Sequence, residues 1–236
     1  MTLNGKNYRL LGRSNINATR SITSTLGVLV GISGISHGIF EALQGNRGTD
    51  GFVIFAVGKG STWTRWTNGN EGAFTLIPNF LISGILAVIT GVLLAVWSIR
   101  FINAKWGSSI FLIISTVLFL VGGGVAQVPF IVLTWAVATR INKPLRWWKA
   151  NVSENIRRSL AKTWLWLLIV SSLTFLLALE IAIFGFLPGV SDQNLLQTID
   201  WATLVFASII LLVCIVAGFA YDHEIQINPS QTNFAK

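Results

Sequence analysis

The stretch GSSIFLIISTVLFLVGGGVAQVPFIVLTWAVAT, residues 107–139, carries no charged side chain. As one helix it would be about 48 Å long, against about 30 Å for the hydrocarbon core of a bilayer. Its centre, GGGVAQVP, holds three glycines and a proline, residues that end helices and favour turns. The run is therefore predicted to fold back on itself as two short helices, 103–121 and 127–142, joined by a tight turn at 122–126.

Four further apolar runs are each long enough to cross a bilayer: 23–44, 74–97, 163–187 and 201–221. Only 11% of the residues are charged and 53% are hydrophobic, where a soluble domain averages about 25% charged. The ten tryptophans fit residence at membrane interfaces. The predicted class is an all-α, polytopic helical membrane protein, a single transmembrane domain over 1–236.

Basic residues decide the number and direction of the spans. If 107–139 crossed once, the segment RINKPLRWWKANVSENIRRSLAK would lie outside with seven Lys or Arg, against the positive-inside rule. With a hairpin, the inner side collects Lys6, Arg9, Arg13, Arg20, Arg100, Lys105, the seven basic residues from Arg140 to Lys162, and Lys236. Outside are Arg47, Lys59 and Arg65, so fourteen oppose three. The balance predicts six membrane segments with cytoplasmic N- and C-termini, the first being an uncleaved signal anchor.

The connections carry their own signals. The first outer loop, 45–73, contains GFVIFAVG and WTRW, which suggests aromatic contact with the interface. Residues 145–160 place Leu145, Trp148, Val152, Ile156 and Leu160 three or four apart, with Arg146, Lys149, Arg157 and Arg158 between them. That pattern predicts an amphipathic helix on anionic cytoplasmic headgroups. The net charge of +8 is accounted for by these flanks, with no soluble segment large enough to bind nucleic acid.

Small residues recur at helical spacing. Gly27, Gly31, Gly34 and Gly38 mark the first span, and Gly84, Ala87, Gly91, Ala95 and Ser98 the second. Such stripes let backbones approach in lipid, so the two are expected to face each other; lining a narrow pore is the alternative.

Two ionisable residues, His37 and Glu41, sit in the first span, four apart and so on one face. Ionisable groups in a membrane usually face a bundle interior or an aqueous cavity. Asn79, Gln127 and Glu180 fall at the same outer depth on other segments, and the inner half is expected to hold hardly any comparable residues. His37, Glu41, Asn79, Gln127 and Glu180 are the candidate binding residues, with Glu41 and Glu180 expected to share one cavity. A structural role is open as well: a cap or a bond to a neighbouring helix for Asn79, a snorkelling carboxylate for Glu41, a neutral hydrogen-bonding imidazole for His37.

Catalytic signals are missing. A zinc hydrolase needs three protein ligands and an open position, yet the chain has two histidines, and His223 is predicted on the opposite side from His37. There is no G-x-S-x-G, P-loop or HExxH, and Cys214 is alone. The sequence points to no catalytic residue, metal or cofactor and leans away from an enzyme. The reading is a membrane protein that binds or transports a cation, proton or small polar solute at an outward-facing polar site. The alternative is a non-catalytic subunit or scaffold that binds a second copy or another membrane protein.

The runs HGIFEALQGN, FTLIPNFLISGILAVI, LFLVGGG, ATRINKPLRWW, LEIAIFG and GFAYD together resemble a family of uncharacterised prokaryotic multi-span membrane proteins. The resemblance covers most of the chain. It implies a bacterial or archaeal cytoplasmic membrane and no particular activity.

Overall fold

The computed structural model of the chain describes residues 17–58, 70–143 and 151–227. Among these, six helices and one small sheet form the fold: α1 Ala18–Leu43, β1 Val53–Gly58, β2 Asn70–Thr75, α2 Phe80–Arg100, α3 Gly107–Leu120, β3 Val121–Gly124, α4 Val128–Ala138, α5 Glu154–Phe184 and α6 Gln193–Ile227. A single 3-10 turn, Val125–Gln127, links β3 to α4. Helices α1, α2, α5 and α6 are long and apolar enough to cross a membrane. Helices α3 and α4, of 14 and 11 residues, reach only about 21 and 16 Å.

The helix ends have local causes. Asn17 caps α1 by accepting from Arg20 N–H at 2.7 Å, and Asn79 caps α2 by accepting from Ile82 N–H at 3.1 Å. Pro129 stands in the first turn of α4, where its missing N–H costs nothing. Gly185, at φ 57°, ends α5 and donates to Ile181 O at 2.8 Å. Asp192 starts α6 by accepting from Asn194 and Leu195 N–H.

The outward surface is apolar. On α2 alone, Ile82, Ile85, Ile89, Val92, Val96 and Ile99 are exposed at spacings of three or four. In water such a continuous face would aggregate; in lipid it is the expected outer layer.

Inside, α1 and α2 pack through their small residues as antiparallel neighbours. A methyl group on Gly31 would lie 2.7 Å from Gly91 O, and one on Gly38 would lie 2.6 Å from Gly84 O and 2.8 Å from Val88 N. Gly34 faces elsewhere: a methyl there would meet Leu118 of α3 at 2.6 Å. Thus α1 lies in the middle, with α2 and α3 on one side. On the other, Ile22, Leu26 and Leu29 join a core with Trp164 and Leu168 of α5 and Leu211 and Ile215 of α6.

The sheet corrects the all-α expectation. Strands β1 and β2 pair antiparallel, Val53 with Phe74 and Phe55 with Gly72. Strand β3 then pairs antiparallel with β2, Ala73 with Gly124 and Thr75 with Val121. The glycine run between α3 and α4 is thus a strand followed by a 3-10 turn, where a tight turn is predicted from sequence. Its extended backbone finds partners in β2, which a turn would not supply. In β1, Ile54 and Ala56 are buried while Val53 and Phe55 are exposed, the two-residue alternation of a half-buried strand. Ile54, Ala56 and Ala73 pack on Phe80 of α2 and Ile183 of α5, closing one end of the bundle. We refer to this as the sheet end.

Boundaries shift elsewhere. The predicted amphipathic helix falls partly outside the described residues, as do WTRW and Leu145 to Lys149. Its remainder, from Glu154, is continuous with the long α5. Helix α6 begins at Gln193, so Asp200, just before the predicted run 201–221, stands two turns inside it.

Candidate functional site

His37 and Glu41 lie in the last two turns of α1, at the sheet end, and both point inward: His37 is 2% exposed and Glu41 fully buried. Strand β3 lies across them. A Cβ on Gly122 would strike the carboxyl oxygens of Glu41, and one on Gly124 would strike Nε2 of His37. Gly122 also adopts φ 114°, open to glycine at little cost. The glycine run is therefore a covering strand that brings its backbone against two ionisable side chains.

Gln127, buried at the 3-10 turn, locks this cover to α1. With its amide oxygen turned to α1, the orientation that satisfies the hydrogen bonds, it accepts from Ser33 O–H at 2.9 Å, Gly34 N–H at 3.2 Å and Gly124 N–H at 3.3 Å. Ser33, His37 and Gln127 then line a cavity of about 90 Å³ together with Asp200. Phe130, Phe175 and Trp201 supply apolar wall. That volume exceeds what a single water molecule needs, so it suits a small guest.

On the other side of β3, Glu41 meets hydroxyls. Ser83 of α2 donates within a cluster in which its Oγ lies 2.8 Å from Thr75 Oγ1 and 2.9 Å from Val121 O. The same hydroxyl reaches the Glu41 carboxyl. Having one proton for three acceptors, it leaves neither carboxyl oxygen with a completed hydrogen bond.

Of the five candidates from sequence, three are brought into this layer: His37, Glu41 and Gln127. Asn79 is half-buried and its side chain is committed to capping α2 and to donating to Asn46 Oδ1 at 2.7 Å. Glu180 is exposed on α5, which corrects the expectation that it shares a cavity with Glu41. In LLALEIAIF its neighbours on every side are apolar, so hydropathy does not fix which face of the helix turns inward.

Sequence reasoning missed Asp200, Ser33, Ser83 and Thr75. Asp200 had one signal: it sits at the leading edge of an apolar run, where a helix extending a few residues earlier would carry it inward.

The far end of the bundle holds a second polar layer, against the expectation that it would be nearly bare. Asp222 of α6 accepts from Ala18 N–H and Thr19 N–H, each at 2.8 Å, and from the Thr19 hydroxyl at 2.5 Å. Arg157 of α5 forms a buried ion pair with Glu224, with Arg158 3.7 Å from the same carboxylate. Asn17 donates to Asn142 at 3.1 Å, and Asn142 to Asn103 at 2.7 Å.

Among the described residues, no three His, Cys, Asp or Glu side chains come together as a metal centre. Comparison with protein families, curated proteins and solved structures finds no match to the chain.

Proposed function

We propose that this chain is a multi-pass protein of a prokaryotic cytoplasmic membrane that takes a small cation or polar solute into its sheet-end polar layer from the outer face. Six membrane segments are assigned, with both termini cytoplasmic and the hairpin of α3 and α4 between the long helices. Fourteen basic residues against three support that direction, and four helices long and apolar enough to cross a bilayer support the membrane.

One observation carries the binding reading. Ser33 and His37 from α1, Gln127 from the turn before α4, and Asp200 from α6 converge on one cavity whose remaining wall is apolar. Polar groups at membrane depth are costly, and where they gather from separate helices they usually mark an ion or substrate site. A scaffold needs packed helix faces and no such cavity.

The test uses the purified full chain in detergent. Thermal unfolding is followed across a panel of small cations and polar solutes. At least one should raise Tm saturably, and Gln127→Leu and Asp200→Asn should weaken that effect without unfolding the protein. A flat response together with stoichiometric co-purification of another membrane protein would replace this reading with the scaffold. A reporter fused after Arg146 should read cytoplasmic; an external reading would overturn the six-segment assignment.

A further inference from the structure

The group that the cavity leaves unexplained is Glu41. Its carboxyl is fully buried, neither oxygen completes a hydrogen bond, and no Lys or Arg pairs with it among the described residues. The neighbouring His37 turns its Nε2 against Gly124. A buried carboxylate without a compensating charge is among the most expensive arrangements in a protein, the more so in lipid.

Ser83, whose hydroxyl reaches it, belongs to a cluster of oxygens. Thr75 Oγ1 and Val121 O lie 2.8 and 2.9 Å from Ser83 Oγ. Thr75 Oγ1 already accepts from Ile77 N–H at 3.0 Å, and its own proton faces Ile77 O at 3.5 Å. With the two carboxyl oxygens this makes four acceptors around the single proton of Ser83. Such a surplus of acceptors calls for a positive charge.

The backbone adds to it. Helix α3 breaks at Val121 and the chain resumes as α4 after β3 and the 3-10 turn. The C-terminal end of α3, the negative end of its dipole, therefore stops beside the carboxylate. Interrupted helices whose C-terminal carbonyls meet hydroxyls and a carboxylate are a recurrent way of holding a small cation at membrane depth.

We propose that Glu41, Ser83, Thr75 and the Val121 carbonyl form a site for a monovalent alkali cation, sodium in preference to potassium. All the donors are hard oxygens, which suit alkali and alkaline-earth ions and not the softer metals. One carboxylate neutralises one positive charge, whereas a divalent ion would leave a net charge buried. The close spacing of the oxygens favours the smaller alkali ion. The proposal deepens the reading of the polar layer as a ligand site, and gives Glu41 a ligand separate from the guest of the His37 cavity.

Thermal unfolding of the full chain in detergent tests it, at constant ionic strength, with sodium, potassium or choline chloride. Sodium should raise Tm saturably, potassium only at roughly tenfold higher concentration, equivalent to about 1.4 kcal/mol of selectivity, and choline not at all. Glu41→Gln should abolish the sodium response, and Ser83→Ala or Thr75→Val should shift it to higher concentration; these two carry the test if Glu41→Gln fails to fold. Equal Tm in all three salts for the folded wild-type protein would overturn the proposal, and an infrared carboxylic-acid band lost in Glu41→Gln would then assign the charge balance to a proton. A solute that still stabilises through Gln127 and Asp200 in that case would leave the cavity reading standing and remove only the cation.

Discussion

The two ends of the bundle bury ionisable groups in opposite ways. At the far end every carboxylate of the layer has its counterpart: Asp222 takes three donors from the start of α1, and Glu224 holds Arg157 with Arg158 beside it. At the sheet end, Glu41 is more deeply buried than either, and its oxygens complete no hydrogen bond. The far end is a clasp that fixes α1, α5 and α6 together. Glu41 thus has the burial of a clasp residue without completed hydrogen bonds, as expected of a place where a guest completes the set.

This contrast can be broken experimentally. The largest effect is expected at the ion pair: Arg157→Ala leaves Glu224 buried beside only a distant Arg158, and should lower stability by about 3–5 kcal/mol, read as a fall in Tm in detergent. Replacing Arg157 and Glu224 together by Met and Leu should recover most of that loss, since a packed apolar pair replaces buried charge at little cost. Full destabilisation in the double variant would mean that the pair does more than satisfy itself.

Next in size is the helix seam on which both ends depend. Gly38→Leu drives a side chain into the backbone of α2 at Gly84 and Val88 and should cost about 3 kcal/mol or more. Gly34→Leu meets only the Leu118 side chain, which can turn aside, so its loss should be smaller. Equal losses would show that the α1–α2 contact is no tighter than that between α1 and α3.

Asp222→Asn should cost about 1–2 kcal/mol, because one acceptor oxygen is lost at the start of α1. Smallest of all, Glu41→Gln measured in choline chloride should cost nothing and should raise stability, since the carboxyl has no completed bonds to lose and the variant removes a buried charge. A large loss there would erase the distinction between the two layers.

The sequence carried the long spans well. Each is an apolar run of sufficient length, and the small-residue stripes of α1 and α2 do face each other, apart from Gly34. It also located His37, Glu41 and Gln127 in a single layer, because depth along a helix can be counted residue by residue. What depth does not supply is rotation about the helix axis, and Glu180 turns outward for that reason. The strand at Val121–Gly124 was hidden because glycines announce the end of a helix and leave the next conformation open. Only pairing with residues 73–75, distant in the chain, makes it a strand. Asp222 and Glu224 looked like the polar tail of a finished span. They belong to the fold because α6 runs to Ile227, about 52 Å of helix in all.

The pairing of β3 with β2 also bears on how the protein is made. A chain emerging from the ribosome delivers α1 first, with His37 and Glu41 already on it, while the strand that covers them has yet to be synthesised. Until residues 121–124 arrive and join a hairpin built from the loop after α1, those two side chains face whatever the insertion machinery offers them. The first helix is therefore made unfinished, and its acidic residue is enclosed only after the third helix is complete.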